Sequence, residues 1–523
     1  MIRLRIAVTA ATVVATLAVP GTALGGSITA STDGGAQLTN PGFETGGASA
    51  EPAGWSEHGQ RSASFTEAGG HAGALRLTHW SAESYRVVTA QRLHGLRDGT
   101  YTLRAWVRAS GDQRSTELSL TGCGVPQKRV DLPRTGPEWW VQIAVSTRVD
   151  GGACTIAIHS DAGAGDWINV DDLEFTRTAK PVGDVEIQGA DVSQLAKNEA
   201  YGAVYRDFDG RRKDALRILK SNGVNYLRLK VWVDSADDFH ELDDILTMAR
   251  RAKASGFKVL VDFHYSDAWA DPGKQFKPAS WAALPFDQLR QALYDHTYAV
   301  MHALKAQGTP AAMAQIGNEI NGGMLWPDGR WDNWDGLAAL LTAASEAVTA
   351  ASPSTKVAIH LAEGGNNGGH VWWFDNAISR GVRFDIIAVS QYVYWHGPLG
   401  YMQANLFDLT SRYGKPIMVV ETAYGFTLEQ NDHETNIFNA SLAEAGGYPA
   451  TPKGQTQALR DMFNTVAAVP GALGVFYWEP TWTAVTGGGW DPADPSSGDG
   501  WENQALFGYD GKALPALEVF KQF

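Results

Sequence analysis

The stretch DDILTMARRAKASGFKVLVDFHY, residues 243–265, holds the repeating unit of most of this chain. Its first half spaces apolar residues at helical intervals and ends on Gly256, a residue suited to a helix C-cap. Its second half is a short apolar run that stops at polar residues, as a buried parallel strand does. The same run recurs at 187–193, 224–232, 311–319, 355–361, 384–392, 415–421 and 471–479. Helical patterns lie between the runs, RRKDALRILKSNG (211–223) among them. Eight such strands with intervening helices predict a (β/α)8 TIM barrel over residues 185–523. A doubly wound sheet is the alternative, but no glycine-rich phosphate loop follows the first run.

Before residue 185 the rhythm is different. TYTLRAWVRAS (100–110), STELSLTGC (115–123), WWVQIAVSTRV (139–149) and CTIAIHS (154–160) alternate apolar and polar residues at period two. They predict an antiparallel β-sandwich of jelly-roll type over residues 37–177, joined to the barrel by a polar linker at 178–184. Residues 1–25 read as a secretory signal peptide. Arg3 and Arg5 precede an apolar run from Ile6 to Val19, which is shorter than a membrane span needs. Export makes Cys123 and Cys154, the chain's two cysteines, candidates for a disulfide.

Composition excludes some partners. A net charge of -14 argues against nucleic acid and against an anionic membrane surface. The 19 Trp residues are mostly expected in the core, but Trp faces also suit the C–H faces of sugar rings. No feature points to an oligomer, so a monomer is expected.

The strand ends carry the chemistry. In a (β/α)8 barrel the active site lies at the C-terminal ends of the strands. AQIGNEINGG (314–323) puts Glu319 at the end of the fourth run, and IMVVETAY (417–424) puts Glu421 at the end of the seventh. Two carboxyls with different surroundings can divide the work of glycoside hydrolysis, one as acid/base and one as nucleophile. Asp191, Arg228, Lys230, Asp262, His264, Tyr392, Tyr394 and Trp478 also fall at strand ends.

These residues resemble the clan A glycoside hydrolases. More narrowly, GADVSQL, LRLKVW, DFHYSDAWADPGKQFKP, QIGNEINGGMLWP, VETAYGF and FYWEPTW, in that order, are similar to family 53, the endo-β-1,4-galactanases. The resemblance covers Val185 to Phe523. It implies a retaining hydrolase acting on internal bonds of galactan and type I arabinogalactan. Glu319 would be the acid/base and Glu421 the nucleophile, their carboxyls roughly 5–5.5 Å apart. Asn318 would bond the sugar 2-hydroxyl and Arg228 would hold Glu421 ionised. The family usually shows Arg where this chain has Lys230, which leaves open which of the two basic residues pairs with Glu421. Trp478 would floor the cleavage point, and Asp191, His264, Trp269, Tyr392 and Tyr394 would line the cleft.

The resemblance implies no cofactor for the chemistry and a structural calcium between the last two long loops. Asp432, Asn436, Asp499 and Glu502 supply oxygen ligands there. The sandwich, from LTNPGFETGG to GDWINVDDLEF, resembles the family 61 carbohydrate-binding modules. That resemblance implies a second calcium at Glu44 and Asp172, and stacking residues among Trp80, Tyr85, Trp139 and Trp140. Only one ring of the 139–140 pair would face outward if the segment were a strand. Tethering the barrel to polymer would raise local substrate concentration. Two other readings stay open: another clan A endo-glycanase, such as a mannanase or cellulase, and a non-catalytic polysaccharide-binding protein.

Overall fold

The computed structural model describes residues 37–178, 181 and 183–523. The expected signal peptide lies outside the described residues, as does part of the expected linker. No helix of the described residues is long and apolar enough to cross a membrane.

The N-terminal domain is two five-stranded antiparallel sheets packed face to face. The first runs, in spatial order, Ser56–Gly59, Tyr85–His94, Ala153–Ala162, Ser115–Thr121 and Lys128–Asp131. The second runs Ser64–Ala68, Leu75–Trp80, Trp167–Arg177, Gly99–Ala109 and Val141–Val149. Alternation explains the core. Leu103, Ala105, Val107 and Ala109 point inward from one strand, and Ile156 and Ile158 meet them from the other sheet. Cys123 and Cys154 form a disulfide within this core, S–S 2.06 Å.

The second domain is a closed barrel of eight parallel strands. They are β1 (Ile187–Asp191), β2 (Tyr226–Val231), β3 (Lys258–Phe263), β4 (Met313–Ile316), β5 (Lys356–Leu361), β6 (Ile386–Ser390), β7 (Ile417–Glu421) and β8 (Ala472–Tyr477). Every run expected from the sequence contains one of them. The helix of the opening stretch is Leu242–Ala254. It buries Ile245, Met248, Ala249 and Ala252 against the strands.

Inside the barrel the side chains change character from bottom to top. Ile187, Tyr226, Leu260, Met313, Ile386, Met418 and Phe476 fill the lower layer. Two residues further along the same strands, at the same inward positions, stand Arg228, Asp262 and Gln315. The apolar layer seals the barrel floor, so the polar layer above it can bond only inward or toward the open mouth.

The sandwich sits against the barrel. Two helices, Leu399–Tyr413 and Pro452–Ala467, face the edge strands Val141–Val149 and Lys128–Asp131. Open strand edges leave backbone groups unpaired. Here the barrel pairs them: Gln403 accepts from the Gln142 N–H and donates to its carbonyl, both at 2.7 Å. Asp461 accepts from the Arg134 N–H at 2.9 Å, and Asn464 donates to the Asp131 carbonyl at 3.2 Å.

Candidate active site

A cleft of about 520 Å³ opens at the C-terminal ends of the strands. Glu319 and Glu421 both line it, with Asp191, Arg228, Lys230, His264, Trp269, Asn318, Tyr392 and Trp478. The two carboxyls therefore meet at one mouth, though they are far apart in the chain.

Arg228 is the hub. Its guanidinium is 1% exposed and reaches three carboxylates: Asp191 at 2.6 Å, Asp262 at 2.9 Å and Glu421 at 2.9 Å. It also donates to Gln315 at 3.2 Å and to Asn318 at 2.8 Å. Burial opposes its charge, but the three carboxylates outweigh burial and hold its proton more tightly than usual. Lys230 does not pair with Glu421. Its ammonium lies 3.5 Å above the Trp269 ring and 3.8 Å from Glu479. Burial lowers its pKa to about 8.

Glu421 reaches the mouth through a local irregularity. Met418 and Val420 face the barrel interior, so strict alternation would turn the next residue outward. The pairing of β6 with β7 slips at that point, from Val389 opposite Val419 to Ser390 opposite Glu421. Such a slip re-aims a side chain. Tyr392 then donates its hydroxyl to Glu421 Oε2 at 3.0 Å.

Glu319 stands in another setting. It follows β4 in the left-handed backbone region, φ 49°, an uncommon place for a residue with a side chain. Its N–H approaches His360 Nδ1 at 3.3 Å, and among the described residues no cation pairs with its carboxyl. Burial raises its pKa to about 7. Burial and the neighbouring Glu319 also push the Glu421 carboxyl up, while Arg228 pulls it down. Two adjacent carboxyls share one proton most readily. The contacts put that proton on Glu319 and the charge on Glu421.

The remaining expected residues divide. His264 accepts at Nδ1 from the Trp232 Nε1–H and the Ala270 N–H, so its proton is on Nε2, 3.0 Å from Asp262. Trp269 stacks on Trp482, centroids 5.5 Å apart, and Trp478 lies against Trp501 at 4.5 Å. Asn318 is fixed by Arg228 and by its own donation to the Ala270 carbonyl. Tyr394 does not line the cleft. It is buried behind it, donating to Gln504 at 2.6 Å and packing on Phe438, because the short helix Val393–His396 turns it inward. Sequence reasoning missed Gln315, His360, Trp395, His396, Trp482 and Trp501. A polar residue inside an apolar strand run, as Gln315 and His360 are, was the available signal.

In the sandwich two expectations need correction. Tyr85 is a core residue, 2% exposed, and its hydroxyl donates to the His79 and Asp166 carbonyls at 3.0 Å. It offers no face to a sugar. Trp139 and Trp140 lie before the strand, not in it, and Trp139 packs on Tyr401 of the barrel. Trp80 is 43% exposed. Glu44 accepts from the Ala74 and Leu75 N–H groups, and Asp172 bonds His71 at 2.8 Å.

Asp432, Asn436, Asp499 and Glu502 come together where the two long loops meet. Asp432 accepts from the Asp499 N–H at 2.8 Å. Asn436 Oδ1, Asp499 Oδ2 and Glu502 Oε2 are buried without a hydrogen-bond partner. Burial pushes Asp499 well above the usual carboxylate range and Glu502 up to about 7. Among the described residues, no group of three His, Cys, Asp or Glu side chains forms a ready-made metal site.

The model of glycosyl hydrolase family 53 matches residues 187–520. The chain belongs to glycosyl hydrolase family 53. An endo-beta-1,4-galactanase of Bacillus subtilis is 34% identical over 370 residues, covering 64% of this chain and 85% of the relative. An arabinogalactan endo-beta-1,4-galactanase of Thermothelomyces thermophilus is 34% identical over 343 residues, covering 64% and 98%. The solved family 53 catalytic domain of Ignisphaera aggregans is 42% identical, with a TM-score of 0.62, covering 64% of this chain and 96% of that one. This family 53 chain is thus a glycoside hydrolase, and its matched region is the barrel that holds the cleft.

Proposed function

We propose that the chain is an exported endo-β-1,4-galactanase that cleaves internal bonds of galactan and type I arabinogalactan with retention. The observation that carries this reading is the unequal pair in the cleft: Glu421 held by Arg228 and Tyr392, and Glu319 half-buried without a cation among the described residues. Protonated Glu319 gives its proton to the leaving oxygen as Glu421 attacks the anomeric carbon. Glu319, now ionised, takes a proton from water, which releases the sugar from Glu421. Asn318 bonds the 2-hydroxyl, and Trp478 floors the ring at the cleavage point. The names of the relatives support galactan, and the open cleft suits internal cleavage.

The unpartnered oxygens of Asn436, Asp499 and Glu502 fit a hard cation, so these residues with Asp432 would hold a structural calcium between the loops. The calcium supplies charge balance and holds the cleft wall; the chemistry uses none. At Glu44 and Asp172 both carboxyls already have protein partners, so the donor set there does not call for an ion.

The test is a product time course on linear β-1,4-galactan, mannan and carboxymethylcellulose, with the product anomer followed by NMR. Early intermediate oligosaccharides with β anomers from galactan support the reading. Preferred cleavage of mannan or carboxymethylcellulose supports the other clan A specificity. Equal, negligible rates for the parent and Glu319→Gln would favour a binding protein. N-terminal sequencing of secreted material, expected to start just beyond Gly25, tests export.

A further inference from the structure

The cleft wall does not end at the barrel. Trp395 and His396 line the cleft, and Trp395 is 47% exposed. Just beyond, the helix Leu399–Tyr413 presents Tyr401, itself 44% exposed. A Cβ on Gly397, the residue after His396, would lie 3.6 Å from the Tyr401 ring. A Cβ on Gly365 would touch Tyr401 Cβ at 2.9 Å and the His396 carbonyl at 3.4 Å. Tyr401 is thus next to the cleft wall. Its ring meets Trp139 of the sandwich, centroids 4.0 Å apart.

The row continues. Trp140 follows Trp139 and takes the Arg108 guanidinium over its ring at 4.3 Å. His71 approaches its edge at 5.8 Å and stacks on Trp106 at 4.0 Å. Aromatic side chains therefore lead from the cleft, across the junction, onto the outer face of the second sheet. The outer face of the first sheet is built differently. Its strands hold no Trp, and ion pairs such as Arg86 with Asp161 and Glu117 with Arg129 lie there, as Arg76 with Glu67 does on the second sheet. A solvated face needs no Trp; a face that meets pyranose rings does.

Beside the aromatic row Arg76 is paired with Glu67 at 2.9 Å, and Arg108 donates to the neutral Asn169 amide at 3.0 Å and to the Pro137 carbonyl. These groups offer hydrogen bonds beside aromatic faces, which suits a hydroxylated polymer. The junction is also held in place, by the reciprocal Gln403–Gln142 bonds and by Gly400, where a Cβ would meet Trp139 Cβ at 3.1 Å.

We propose that Tyr401 and Trp139 form a distal sugar platform that carries the catalytic cleft onto the sandwich, so that one polysaccharide chain spans both domains. The occupant is the remote stretch of the same neutral β-glycan whose cleavage point lies between Glu319 and Glu421, so the inference rests on the galactan reading. The sandwich then extends the substrate groove and is not a free tether.

The experiment compares kcat/KM on linear β-1,4-galactan with kcat/KM on β-1,4-galactotetraose, a short substrate that covers fewer positions beyond the cleavage point. The full chain, Tyr401→Ala, Tyr401→Phe and Trp139→Ala are measured, with thermal unfolding as the check on folding. Truncating an aromatic anchor at a binding surface typically weakens binding about tenfold, which is about 1.4 kcal/mol. The polymer-to-tetraose ratio is expected to fall about tenfold in both alanine variants and to survive in Tyr401→Phe, whose ring remains. A second arm needs no turnover: calorimetric binding of long galactan oligosaccharides to Glu319→Gln, with and without Tyr401→Ala, should show the same tenfold loss. An unchanged ratio and an unchanged affinity in a folded Tyr401→Ala chain overturn the platform while leaving the galactanase reading intact. A parent chain that leaves galactan uncut and unbound overturns that reading and, with it, the named occupant.

Discussion

Replacing Glu319 by Gln should abolish turnover and stabilise the fold, and the stabilisation should depend on pH. The Glu319 pKa lies at about 7 in the folded chain, against an ordinary 4.5, because burial penalises its charge. A folded state that binds a proton more tightly than the unfolded state loses stability as pH rises through the interval between the two values. For a raised carboxyl that interval runs from 4.5 to about 7. A gap of roughly 2.5 pH units at about 1.36 kcal/mol each is about 3 kcal/mol at most, reached above neutrality. Glutamine keeps the shape and carries no charge to penalise. Urea unfolding of the parent and Glu319→Gln at pH 4.5 and pH 8 checks this. The variant should match the parent at the acid end and exceed it by up to about 3 kcal/mol at the basic end. The same titration should place the basic limb of kcat/KM near pH 7, since Glu319 must carry a proton to act as the acid. An equal stability difference at both pH values would refute the reasoning: Glu319 would then not be the proton carrier.

Arg228→Met should cost about 3–5 kcal/mol of stability, because it strands Asp191, Asp262 and Glu421 without their shared cation. Arg228→Lys keeps the charge but cannot fork, so the acidic limb of kcat/KM should move to higher pH as Glu421 loses part of its counter-charge. Chelation by EDTA should lower the thermal midpoint, and Asp499→Asn should blunt that sensitivity; equal midpoints with and without chelator would remove the calcium. Gly400→Ala should press on the junction without parting it, because the added methyl meets the Trp139 side chain and the Trp140 carbonyl at 3.1 and 3.3 Å and they must give by a few tenths of an ångström. A small fall in the thermal midpoint is the expected readout, with an unchanged radius in small-angle scattering.

The fold was legible because it repeats. Each barrel strand is a short run buried on both faces, and each helix shows one apolar stripe, so local pattern and tertiary burial agree. The alternating strands of the sandwich are legible for the same reason. Glu319 and Glu421 were legible as charges at the ends of apolar runs. Gln315 and His360 were not, since a neutral polar residue inside a strand looks like an exception until its partners are seen. Tyr394 was misread because a one-turn helix after β6 rotates it away, and one turn leaves no periodic trace.

The chain's own order of residues determined the two-domain plan, the barrel, the catalytic carboxyl candidates and their nature as an unlike pair. Three-dimensional packing decided which of Arg228 and Lys230 meets Glu421, how a register slip aims Glu421 into the mouth, and that Trp139 serves the junction. The physical reason is range. Periodicity and burial act over a few neighbouring residues, whereas a guanidinium shared by three carboxylates depends on strand ends that only the closed barrel brings together.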